Sequence, residues 1–129
     1  MRVYIFLLVL LLVSCTDAYK DEITQLLDSR DLSISARDIN SYKALLSAPY
    51  IAAEGAEAVA QMDQLFIRFE KVEMRTQHRE IRLINDNEAL CEQTYSLKVF
   101  ADGQWRDMVQ REQIKLTRSE AGWRIGGGL

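Results

Sequence analysis

The sequence predicts an α+β fold: three N-terminal helices packed on a curved antiparallel sheet. Apolar residues recur with a period near 3.6 in the first half of the chain, and the period shortens towards 2 after Glu70. Short turn signals divide the second half, which makes its strands sequential and antiparallel. Helices that precede a meander can bury their apolar stripes only on one face of the sheet it forms.

The first helix is predicted over 17–37, where Ile23, Leu26, Leu27 and Ile34 keep helical spacing and Asp21 and Glu22 favour the first turn. Asp38 reads as the N-cap of a second helix, Ile39 to Leu46, with Ile39, Tyr42, Leu45 and Leu46 on one face. Pro49 ends it, Tyr50 to Ala53 is expected to be extended or irregular, and Gly55 marks a break. A third helix over 57–69 places Val59, Met62, Phe66 and Phe69 on its core side.

The strands begin at residue 71. In 71–84 Val72 and Met74 share one face, but Ile81 and Leu83 have moved to the opposite parity. Such a switch inside one strand is the mark of a β-bulge, and a bulge bends the sheet. Asn85-Asp86-Asn87 has turn chemistry. Segment 88–100 aligns Ala89, Cys91, Gln93, Tyr95, Leu97 and Val99, and Ala101-Asp102-Gly103 makes a hairpin turn. Segment 104–118 aligns Met108, Glu112, Ile114 and Leu116, and a last strand carries Trp123 and Ile125, expected to pack on Leu116 and Ile114. Gly126-Gly127-Gly128 reads as a frayed end, because no helix follows to complete a phosphate cradle.

Ahead of this domain stands an uncharged apolar run from Val3 to Val13 after Met1-Arg2, closed by Leu12-Val13-Ser14-Cys15. A basic start, a short apolar core and small residues before the cut make a secretory signal peptide, and spanning a bilayer takes about 20 apolar residues. The Leu-x-Ser-Cys arrangement resembles the lipobox of bacterial lipoproteins. It implies cleavage after residue 14, a lipid thioether on Cys15, and a domain over 15–129 held at the cell envelope, facing the periplasm. A lipid anchor gains about 0.8 kcal/mol per buried methylene, and the membrane is the partner expected on this ground.

Removal of residues 1–14 takes the formal charge from −3 to −4. No basic excess is left to neutralise phosphates, so nucleic acid is not an expected partner. Cys91 would then lack a disulfide partner, and one histidine with one spare cysteine falls short of a zinc ligand set. Neither a nucleophile elbow, a P-loop nor a dinucleotide fingerprint is present, so no cofactor is expected. His78 reads as a solvated surface residue, and Arg75, Arg79, Glu80 and Arg82 as a solvated charged face.

The helical order, the segments RDINSYKALLSAPY (37–50) and ALCEQTYSLKV (89–99), and the closing GWRI (122–125) together resemble the nuclear transport factor 2-like (SnoaL-like, cystatin-like) superfamily. The resemblance covers about residues 18–126. It implies a cone-shaped sheet around a pocket roofed by helices, and members that include both enzymes and binding modules, so the fold alone does not give the function. Pairing of two copies through the sheet is a further implication.

Gln93 and Tyr95 enter an apolar face, Glu112 is the one carboxylate at an inward position of the neighbouring strand, and Tyr42 stands in the helical roof. Buried amides and phenols need partners. These four residues are therefore the expected lining of a small apolar ligand's pocket, or else a polar cluster that closes the core. The expectation is a non-enzymatic binding module; the alternative is a small isomerase or hydro-lyase using Glu112 and a tyrosine. In that branch of the superfamily an aspartate is the base, and Asp38 here reads instead as a helix cap.

Overall fold

The structure, a computed structural model, describes residues 18–129. The expected leader over 1–14, Cys15 and the start of the first predicted helix lie outside the described residues.

Helix α1 (Ala18–Ser35) buries Ile23, Leu26, Leu27 and Ile34 on one stripe, as the spacing requires. Asp38 caps α2 (Ile39–Ala44): its carboxylate accepts from the Ser41 amide at 3.1 Å and the Ser41 hydroxyl at 2.6 Å. This helix stops two residues before the predicted end at Leu46. Strand pairing takes its last residues, since Ile125 N donates to Leu45 O and Ser47 N to Ile125 O, both at 2.8 Å.

Tyr50 to Ala52 is helical rather than extended, and the expected irregularity is confined to a kink at Ala53. Pro49 sits in the first turn of a short helix α3 (Ala48–Tyr50), whose N-cap is Ser47. A proline that ends one helix is equally suited to the start of the next, where its missing N–H costs nothing. A π-helical turn over Ile51–Gly55 follows, with Ala53 at φ −116° and ψ −111°, and leads into α4 (Ala56–Arg68). Gly55 is required by packing, because an added Cβ would stand 2.8 Å from both Cδ1 and the carbonyl oxygen of Tyr50. Arg37 fastens the far end of α4: its guanidinium donates to the carbonyls of Phe66 (2.7 and 3.1 Å) and Glu70 (2.7 Å).

Four antiparallel strands, β1 (Lys71–Asn85), β2 (Glu88–Ala101), β3 (Gln104–Ser119) and β4 (Gly122–Gly127), form one sheet in that order. The predicted bulge is present. Val72 and Met74 pair with Val99 and Leu97, the register shifts between Thr76 and His78, and Ile81 and Leu83 then pair with Cys91 and Ala89. One extra residue, Gln77, keeps all four apolar side chains on the inner face despite their change of parity.

The core lies between α1, α2 and this inner face. Ala89, Cys91, Ile114, Leu116 and Ile125 are inaccessible to solvent, Trp123 is nearly so, and Leu116 stands opposite Ile125 as the sequence predicts. Burial of each such branched aliphatic stabilises by about 1.5–3 kcal/mol. Met108 shares this face, opposite Leu97, but is 42% exposed. Residues 104–110 of β3 are exposed throughout, so this end of the strand has no helical cover. Gly126 and Gly127 belong to β4, and Gly128 (φ +88°) follows close against the Gln113 carbonyl, so this end is ordered rather than frayed.

Candidate functional site

The predicted site residues converge, but around a residue absent from the prediction. Gln93 and Glu112 are directly opposite across β2 and β3, and both point inward. Gln93 Nε2 donates to Glu112 Oε1 at 2.7 Å. Arg30 reaches the same carboxylate from α1 in a two-pronged pair, Nη1 to Oε1 and Nη2 to Oε2, the latter at 3.2 Å. The side chains of Arg30 and Glu112 are only 5% and 12% exposed.

The polar network extends beyond this pair. Arg79 Nε donates to Gln93 Oε1 at 3.0 Å, and its Nη1 donates to Asp28 Oδ1 at 2.8 Å. Asp31 Oδ2 accepts from the Thr76 hydroxyl at 2.7 Å and lies 3.9 Å from Arg79 Nη2. Asp28, Arg30 and Asp31 all belong to α1, so one helix is bound through charged groups to β1 and β3, with Gln93 of β2 held between their partners Arg79 and Glu112. Arg79 is therefore not part of a solvated charged face. The bulge turns it inward, where its side chain is 14% exposed, while Arg75 remains on the surface beside Glu73. His78 is exposed on the outer side of the bulge, as the sequence suggests.

Protonation states follow from this burial. Burial disfavours the charged form of Arg30, but the hydrogen bond and charge of Glu112 outweigh it and hold its pKa above the ordinary value. Burial likewise raises Tyr42, Tyr95 and Asp31, although Arg30 acts against the rise in both tyrosines and Thr76 against it in Asp31. The Cys91 thiol is pushed up to about 11 by burial, which leaves it protonated and unreactive at neutral pH.

Tyr42 and Tyr95 stand on the outer side of this network, with the Arg30 guanidinium 5.9 Å from the Tyr95 ring centroid. The Tyr95 hydroxyl donates to Gln110 Oε1 at 2.8 Å. A cavity of about 410 Å³ opens here, lined by Tyr42, Met62, Leu65, Tyr95, Glu112 and Leu129 among others. Three of the four predicted residues line it, with Arg30. Gln93 lies deeper, inside the network. The space that a deep cone pocket would occupy is filled by guanidinium, amide and carboxylate groups, and the open volume is the mouth.

Arg30 could have been found in the sequence. It follows Leu26 and Leu27 by four and three residues and precedes Ile34 by four, which places a charge in the apolar stripe of α1. Arg79 left no such signal, because its direction depends on which residue of β1 is bulged out.

No protein-family model matches the sequence, and no curated protein matches it. Solved structures do match its fold. A candidate dehydratase of the nuclear transport factor 2-like family from Streptomyces avermitilis superposes with a TM-score of 0.76, at 9% identity over 87% of this chain and 94% of that one. A candidate aromatic ring hydroxylase from Novosphingobium aromaticivorans gives 0.75, at 12% identity over 89% and 96%. A nuclear transport factor 2-like superfamily protein from Salmonella enterica gives 0.70, at 21% identity over 86% and 88%. At such identities the likeness establishes the fold.

Proposed function

We propose that this chain, whose fold is nuclear transport factor 2-like, is a lipid-anchored binding module of the bacterial cell envelope, facing the periplasm, with no catalytic base of its own. The observation that supports a binding role is the state of Glu112. Both its oxygens are engaged, by Arg30 and Gln93, whereas a general base must be free to reach a substrate proton. The mouth sets Met62, Leu65 and the rings of Tyr42 and Tyr95 beside Gln61, Gln110 and Arg111, an apolar patch with polar groups that would orient a small ligand. Fold neighbours bear the names of enzymes, and the isomerase or hydro-lyase reading keeps that much support.

The anchor rests on the sequence from Met1 to Cys15. Bacteria expressing the chain and fed an alkyne-bearing fatty acid should yield a labelled, membrane-bound protein lacking residues 1–14, with the label lost in Cys15→Ser. An intact Met1 on membrane-embedded wild-type protein would refute the anchor. For the mouth, a neutral apolar fluorophore should bind the wild type and bind Leu65→Glu at least about tenfold more weakly, since an unpaired charge in an apolar contact costs over 1.4 kcal/mol. Equal binding to both would remove the ligand seat from this site.

A further inference from the structure

A larger cavity, about 680 Å³, lies on the other side of β3 from Glu112. Along that strand Glu112, Ile114 and Leu116 point to the core, so Lys115 and Thr117 alternate outward. The floor is the outer face of β3 and β4, and the parallel bridge of Leu46 to Ile125 extends it past the edge strand. Ala48, Pro49 and Ala53, from α3 and the π-helical turn, make the opposing wall.

The floor is bare backbone for a physical reason. A Cβ on Gly126 would lie 2.7 Å from Thr117 Cγ2 and 2.9 Å from its Oγ1, so a side chain is excluded there. The charge at this groove is opposite in sign to that of the chain, whose formal net charge is −3. Lys115, Arg118 and Arg124 line it, against the single carboxylate of Glu54. None of the three cations forms an ion pair among the described residues. Arg124 uses Nη1 on the Trp123 carbonyl at 2.7 Å, and guanidinium has further N–H donors.

An apolar wall of small residues beside unpaired cations and a hydroxyl fits one kind of small molecule. We infer that this groove binds a single-chain anionic amphiphile. Its carboxylate meets Lys115, Arg124 and the Thr117 hydroxyl, and its acyl body lies along Pro49, Ala53 and the Gly126–Gly127 backbone. The volume is within the range of small-ligand sites, and the ordering of polar and apolar surface gives the ligand one direction. This site is separate from the mouth, and the inference stands whether or not that seat is occupied.

The test uses the full-length protein in the membrane of the cells that express it, with a decanoate carrying a diazirine at the end of its chain. After irradiation, label should map to residues 46–54 or 126–127, and decanoate should compete where decanol does not. Lys115→Gln and Arg124→Gln should each reduce labelling about three- to fivefold, the worth of one exposed ion pair, and Lys115→Arg should retain it. Label at Met62 or Leu65 would overturn the assignment, as would equal competition by decanol or undiminished labelling of both variants. So would crosslinking of two copies through Lys115, which would mean that a second chain covers the groove.

Discussion

A guanidinium on the apolar stripe of α1 settles what the interior of this protein can be. Arg30 is buried, and its removal leaves the Glu112 carboxylate without its counter-charge, with only the Gln93 amide still donating to it. Arg30→Met should therefore destabilise by about 3–5 kcal/mol, the cost of breaking a buried pair, while replacing Glu112 as well by leucine should recover much of the loss. Denaturant titration of the single and double variants decides this, and a loss below about 1 kcal/mol in the single variant would show that the pair is not buried in solution. Cys91 gives a pH signature of the same packing. Its folded pKa, about 11, lies above that of an unfolded thiol, so the folded state keeps a proton that the unfolded state releases. Its contribution to stability is whole below about pH 8.5 and declines as pH rises towards 11. Replacing Cys91 with alanine should flatten that alkaline decline, and an unchanged slope would assign it to other groups.

Among the elements, β1 depends on one inserted residue. Deleting Gln77 would restore strict alternation through the strand. Arg79, Ile81 and Leu83 would keep their places opposite Gln93, Cys91 and Ala89, because Gln77 is the residue left unpaired, but the local bend that the bulge gives the strand would be lost. A cooperative but less stable unfolding transition is the expected result, because the lost bend would shift Arg79 from Asp28, and wild-type stability would show that the bend is not needed to seat the network. Trp123 on β4 has the opposite dependence, on bulk rather than register. It is 3% exposed, and Trp123→Ala should cost about 3–5 kcal/mol by calorimetry or denaturant titration. Its indole N–H is buried without a partner, so Trp123→Phe should cost distinctly less than alanine.

In the molecule as a whole, α1 is the helix held at most points. Its apolar stripe fills the cone, Asp28 and Asp31 bind β1, and Arg30 binds β3. In native-state hydrogen exchange its amides should open only with β2 and β3, in the globally unfolding unit, and Arg30→Met should move α1 into a separate, less protected one. Wild-type α1 exchanging well before the strands would contradict the role assigned to the network. If Cys15 carries lipid, only two residues separate it from Ala18, the first residue of this most firmly held helix. The anchor would then fix the domain close to the bilayer without a long tether.

The α+β class, the four strands, the bulge in 71–84, the Asp38 cap and the inward parity of Gln93, Tyr95 and Glu112 were legible in the sequence by itself. Each depends on local periodicity or on a side chain bonding its own backbone, and such signals lie within a few residues. Residues 1–15 also carry the whole case for the anchor. Only the tertiary structure decided how those residues are used. It ended α2 at Ala44 because β4 captured Leu45 to Ser47, and it turned Pro49 from a stop into a start. It brought Arg30 onto Glu112 from 82 residues away and aimed Arg79 inward. Pairing of buried charges is set by which elements meet, and no periodicity within one element records its partner. That is why the sequence could offer a pocket or a polar cluster at these residues and could not name the guanidinium that fills the space behind the mouth.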